Sequence, residues 1–228
     1  MYKIILLFIM SLSLCLDYSR EDVNPTSETF GQEVGPSYFL NQGKLTMTIF
    51  NWETWGGWRT VYTQLCELSN TNAWDTTKAV IVGLGNGSGG AGALNAMVGP
   101  DGNDAPWVQD PDLETWEEFL ESSSAPRRQL VLLDQDLNKR YQFQYPGSGI
   151  SPNQETELIN AINELIDEFS QIQGDVNGDE ILNVLDIILI VNMAIGIQEI
   201  DLIGDMNNDS GINILDVVIL ANIILENG

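Results

Sequence analysis

Apolar and polar positions along this chain follow two different periods, and each change of period marks an element. Leu45–Phe50 alternates as a strand, residues 79–82 form a continuous apolar run of buried-strand length, residues 130–133 form another, and residues 141–145 alternate aromatic side chains with Gln. Between these runs the spacing is helical. The clearest case covers 156–169, where Leu158, Ile159, Ile162, Leu165, Ile166 and Phe169 make one apolar stripe behind the start signal Ser151-Pro152-Asn153. Strands alternating with helices predict an α/β domain built on a mixed sheet.

The last quarter of the chain has a different pattern, a repeat with a period of 30 residues. It places Asp175 over Asp205, Asn177 over Asn207, Asp179 over Asp209, Asn183 over Asn213 and Asp186 over Asp216. Composition changes at the same boundary: all six Trp and all nine Lys and Arg precede Gln171, and the 58 residues from there on carry ten acidic side chains and no basic one. Two domains are expected, 33–170 and 171–228.

In the first repeat Asp175, Asn177, Asp179 and Asp186 put oxygen side chains at loop positions 1, 3, 5 and 12, with the carbonyl of Ile181 at position 7. In the second, Asp205, Asn207, Asp209, the Gly211 carbonyl and Asp216 do the same. This alternation is how an EF-hand-type loop wraps a hard cation, so two Ca2+ ions are expected. Asn183 and Asn213 suit a water-mediated ligand or a helix N-cap. Several carboxylates crowded into one loop repel each other until a cation neutralises them, which makes the expected calcium structural.

The segments GDVNGDEILNVLDIILIVNMAIG and GDMNNDSGINILDVVILANIILE resemble the paired repeats of type I dockerins, modules that bind cohesin domains. The resemblance implies a small all-α domain and a cohesin-like partner. Position 6 of each loop, usually Gly, is Glu180 and Ser210 here, and positions 10 and 11 carry Val184-Leu185 and Ile214-Leu215 where hydroxyl residues are common. The apolar residues Ile187, Ile188, Ile190 and Val191 fit either an interface or the packing of one repeat on the other.

Residues 1–16 carry one Lys and then an apolar run too short to span a bilayer, the form of a signal peptide, with 17–32 expected as a linker. The mature protein is therefore expected to be secreted or at the cell surface, away from the membrane unless lipidated at Cys15. Once the leader is removed, Cys66 stands alone and no internal disulfide can form. A net charge of -24 repels phosphate backbones, which argues against nucleic acid as a partner. The absence of His removes Ser-His-Asp triads and His-based zinc sites.

Before the boundary, a strand ending near Asn51, the segment Trp55-Gly56-Gly57-Trp58-Arg59, a helix through Leu68, the strand at 79–82 and Pro106-Trp107-Val108-Gln109 follow one another. This order resembles a thioredoxin-like redoxin, with particular similarity to the N-terminal domain of selenoprotein P. The resemblance implies a redox pair at the start of the first helix, positions that Trp55 and Trp58 occupy here. Indole has no ionisable chalcogen, so the printed sequence predicts a redox-inactive domain. UGA, however, encodes selenocysteine in some redoxins and Trp under another code, which leaves open an active residue masked at Trp55.

Three further features each have two readings. Trp52, Trp55 and Trp58 suit an aromatic binding surface or packing under the helix. Gly85 to Gly90 matches Gly-x-Gly-x-x-Gly, a weak dinucleotide signal and equally a flexible loop. Glu114, Glu117, Glu118 and Glu121 suit a glycosidase carboxylate pair, linking the tail to polysaccharide catabolism, or the solvated side of a helix. Taken together, the sequence predicts a secreted calcium-binding docking protein that carries an inactive thioredoxin-like domain, with an extracytoplasmic redoxin as the alternative.

Overall fold

The computed structural model describes residues 15–227 apart from 55, 171 and 180, and leaves the side chains of 56–58 and 227 undescribed. The chain divides into two compact units, Met1–Phe169 and Ser170–Gly228.

The first unit is built on five strands: β3 (Leu45–Phe50), β4 (Ala79–Gly85), β5 (Trp107–Gln109), β6 (Gln129–Leu133) and β7 (Lys139–Gln144), in the spatial order β5-β4-β3-β6-β7. β3 pairs parallel with β4 and β4 with β5, whereas β6 runs antiparallel to both β3 and β7. Every residue of β3 and β6 is buried, as central strands covered on both faces require. β7 stands at the edge, and its alternation survives: Tyr141 and Phe143 lie half-buried between exposed neighbours and stack with Tyr145.

One face of the sheet packs on α2 (Gly56–Asn70), α3 (Gly90–Val98) and α5 (Pro152–Ser170) through Val61, Tyr62, Leu65, Cys66, Met97, Leu158, Ile162 and Leu165. The stripe read at 156–169 is this buried face of α5, which begins four residues earlier with Pro152 in its first turn, where proline costs nothing. The other face packs on α1 (Pro36–Leu40) and α4 (Glu114–Leu120), whose Trp116, Phe119 and Leu120 are buried while Glu114, Glu117 and Glu118 face solvent.

The stretch 17–32, expected as a linker, is a packed part of this unit. Its β1 (Arg20–Glu21) pairs antiparallel with β2 (Glu33–Val34). The buried Asp22 side chain accepts from the Trp107 backbone N–H at 3.0 Å, and Asn24 Nδ2 donates to the carbonyls of Asn103 and Ala105. Two-residue strands leave no periodicity to read, so only these side-chain bonds reveal them. Most of the expected leader lies outside the described residues, but Leu16 is buried and its N–H donates to Leu137 O.

In the second unit, α6 (Val184–Ala194) and α7 (Ile214–Asn227) enclose a small core of Ile190, Met193, Ile212 and Leu220, with a 3-10 turn at Leu202–Gly204 between them. Of the apolar residues left open above, Ile190 is fully buried, Ile187 packs against this core and Ile188 is half exposed.

Candidate functional site

β3 ends at Phe50, and five residues later α2 begins at Gly56, so the connection lies at the C-terminal end of the parallel strands. The first amides of a helix lack intrahelical partners and carry partial positive charge, which favours an anion there. Trp55 lies outside the described residues, as does the Trp58 side chain. Their chain positions are nevertheless set by Gly56: residue 55 directly precedes the helix and residue 58 is its third residue.

Sequence reading passed over Glu53, which sits in the same connection. It is buried, and its Oε1 accepts hydrogen bonds from Trp107 Nε1 at 3.2 Å, Gln109 Nε2 at 3.1 Å and the Gly87 backbone N–H at 3.3 Å. Among the described residues its Oε2 has no hydrogen-bond partner and no Lys or Arg lies within ion-pair distance of the carboxylate. The nearest printed cationic contact is to the backbone instead, Arg59 Nη2 donating to Glu53 O at 3.4 Å.

Glycines on β4 make room for this arrangement. A Cβ on Gly83 would stand 2.6 Å from Trp107 Cζ3, and one on Gly85 would stand 2.6 Å from Glu53 Cδ and 2.8 Å from Trp107 Cζ2. The Trp107 indole fills the notch and meets Tyr62 edge-on at 4.9 Å. Gly87, at φ +68°, aims its N–H at the carboxylate. Packing thus accounts for the start of the Gly-x-Gly pattern without a bound dinucleotide.

Cys66 lies ten residues beyond Gly56 in α2, roughly 15 Å along the axis at 1.5 Å per residue. It is buried, and burial pushes its thiol up to about 12, so it stays protonated near neutral pH and is remote from position 55. Trp52 is half-buried in packing, with the Arg127 guanidinium 3.4 Å above its ring. Glu121, the last of the acidic set, pairs with Lys139 at 3.2 Å.

In the tail, Asp175 and Asp186 of the first loop and Asp205 and Asp216 of the second are buried. Asp175 Oδ1 accepts from the N–H groups of Gly178 and Asp179, and Asp186 Oδ1 from those of Val176 and Asn177. The second loop repeats the scheme: Asp205 accepts from Asp209 and Ser210, and Asp216 from Met206 and Asn213. Asn177 and Asn207 donate to the adjacent Asp179 and Asp209, while the loop also contains Ile181 and Gly211, whose carbonyls accept from Asn183 and Asn213. Asn183 and Asn213 direct their Oδ1 atoms at the N–H groups of Leu185 and Leu215, and Asn183 forms a capping box with Asp186. Ser210 at loop position 6 adopts φ +66°, the left-handed conformation that explains the usual glycine; Glu180 lies outside the described residues. Among the described residues no three His, Cys, Asp or Glu side chains converge as a metal cluster, whereas the loop pattern also draws on Asn amides and main-chain carbonyls.

Solved structures similar to this chain include a protein described as a disulfide isomerase from Bacteroides thetaiotaomicron, at a TM-score of 0.50 and 17% identity, covering 66% of this chain and 86% of that one. The reduced 2-Cys peroxiredoxin of Plasmodium vivax matches at a TM-score of 0.50 and 15% identity, covering 65% and 93%. The first unit has a thioredoxin-like fold. No protein-family model and no curated protein matches the chain.

These comparisons correct the functional reading taken from the tail. The likeness found is to thiol–disulfide proteins and covers about two-thirds of the chain, and no dockerin model matches the remainder. A secreted docking protein held by a cohesin-like partner is therefore set aside in favour of the redoxin alternative. The tail misled because repeated acidic loops are a strong local signal, whereas the redoxin signal rests on the order of elements spread over more than a hundred residues.

Proposed function

We propose that this protein is an extracytoplasmic thiol or selenol oxidoreductase of thioredoxin-like fold whose reacting residue stands at position 55. The observation that carries this reading is the place of position 55, directly before the first residue of the 15-residue helix α2 and at the C-terminal end of the parallel strands. Exposed amides and the helix dipole stabilise a chalcogenolate there. The signal-like residues 1–16 support export.

Tryptophan itself cannot perform the reaction, so the reading requires UGA at this codon, with selenocysteine as the translated residue. The resemblance to selenoprotein P supports that choice. The selenolate attacks one sulfur of a substrate disulfide, forming a selenosulfide and releasing the other sulfur as a thiol. A second, external thiol then resolves the selenosulfide, since Cys66 is buried and distant. The coding sequence tests this together with turnover of a small disulfide by protein carrying selenocysteine at 55. UGA and turnover are expected; a TGG codon overturns the reading.

We further infer that the tail holds two structural Ca2+ ions, one on Asp175, Asn177, Asp179, the Ile181 carbonyl and Asp186, the other on Asp205, Asn207, Asp209, the Gly211 carbonyl and Asp216. The donor set is all oxygen, as calcium prefers. Four of its carboxylates are buried in a segment without a single basic residue, so a cation is the natural source of compensation.

A further inference from the structure

Burying a carboxylate is costly unless its oxygens are bonded and its charge is paired. Glu53 meets only half of that requirement: Oε1 takes three donors, while Oε2 has no partner among the described residues. The fold nevertheless accommodates it deliberately, through the absence of a side chain at Gly85 and through the indole and amide that Trp107 and Gln109 extend from β5. Apolar side chains at 53 and 109 would fill the same space without an unpaired oxygen. An orphaned buried oxygen two residues before the start of position 55's helix connection marks a group kept for its chemistry.

We propose that Glu53 Oε2 is the proton-exchanging group for the reacting residue at position 55. This inference rests on the redox reading of that position. As the chalcogen attacks a substrate disulfide, its proton passes to Oε2; the new chalcogen–sulfur bond forms, the S–S bond breaks, and the departing thiolate takes the proton back from the carboxylic acid. The products are the mixed species and one free thiol, with Glu53 returned to its carboxylate. Trp107, Gln109 and Gly87 hold Oε1 throughout and leave Oε2 to move the proton.

The charged groups around Glu53 are few. Arg59 of α2 contacts its backbone carbonyl, Asp110 beyond Gln109 is neutralised by Arg20 at 2.6 Å, Asp22 accepts from the Trp107 backbone N–H, and β4 carries no titratable side chain. A second ionisation in the reaction is therefore assigned to Glu53.

The test uses the full chain with Trp55→Cys in a Cys15→Ser background, so that it does not depend on which residue the natural codon specifies. The probe is 4,4′-dithiodipyridine, and its second-order rate is followed against pH with and without Glu53→Gln. General acid–base groups contribute about 10²–10⁴-fold, so Glu53→Gln is expected to slow the reaction by about 100-fold and to remove one of two inflections, at an unchanged melting temperature. A fall of less than about tenfold, or an unaltered pH profile, overturns the proposal. If Glu53→Gln fails to fold, the Trp55→Cys profile decides alone: two ionisations support Glu53 and a single thiol ionisation overturns it. A TGG codon at 55 would overturn the redox reading while leaving this outcome intact.

Discussion

Gly85 and Glu53 occupy complementary space: a Cβ on the glycine would stand 2.6 Å from the glutamate Cδ, inside any real contact distance. The same atom would press on Trp107, which cannot retreat because Tyr62 and Gly83 enclose it. Overpacking of this kind costs about 1–3 kcal/mol. Gly85→Ala is expected to lower unfolding free energy by about 2–3 kcal/mol in urea titration. Gly92→Ala, within α3 with nothing inside 4 Å, is expected to gain up to about 1 kcal/mol instead.

Cys66 makes stability depend on alkaline pH. Burial raises its thiol from about 9 to about 12, so above pH 9 the unfolded chain loses a proton that the folded chain keeps. The unfolded state is then favoured, and stability falls between pH 9 and 12 at up to about 1.4 kcal/mol per pH unit. The buried Tyr18, Tyr62 and Tyr145 hydroxyls add to this only above their ordinary value of 10. Urea titrations at pH 9 and 10 isolate the thiol: the decrease is expected in the native sequence and absent in Cys66→Ala.

Calcium is expected to stabilise the tail unit. At a hundredfold excess over its dissociation constant a ligand adds about 2.7 kcal/mol. Calorimetry of the full chain should show the tail transition rise with millimolar Ca2+ and fall with chelator, with Asp186→Ala and Asp216→Ala each reducing the gain. An unshifted transition at millimolar Ca2+ contradicts the two-ion assignment.

The left-handed backbone at Ser210 predicts an improvement on the natural residue. A non-glycine residue there costs about 1 kcal/mol, so Ser210→Gly is expected to raise the tail's thermal transition, an effect read directly by calorimetry.

What the sequence revealed, and what it hid, follows from the range of the interactions. Leu45–Phe50 was legible residue for residue because both faces of a central strand are buried, and α5 was legible because one long stripe of Leu and Ile meets the sheet. The β1–β2 pair was not: its two-residue strands are held by Asp22 and Asn24 reaching residues about 80 positions away. Glu53 was hidden for the same reason. It stands among tryptophans as an isolated acid, and its meaning comes from Trp107 and Gln109, 54 and 56 residues further on. The one local trace was Gly83, Gly85 and Gly87, whose spacing imitates a nucleotide loop while serving a carboxylate and an indole. Repetition made the tail loops conspicuous, but the docking function inferred from them depended on a resemblance that the comparisons did not support.

The most direct test of the account is the mass of the tryptic peptide Leu45 to Arg59 from the natively produced protein. The account predicts a selenium isotope pattern assigned by fragmentation to position 55. A peptide whose mass and fragments place an ordinary tryptophan at 55 would contradict it.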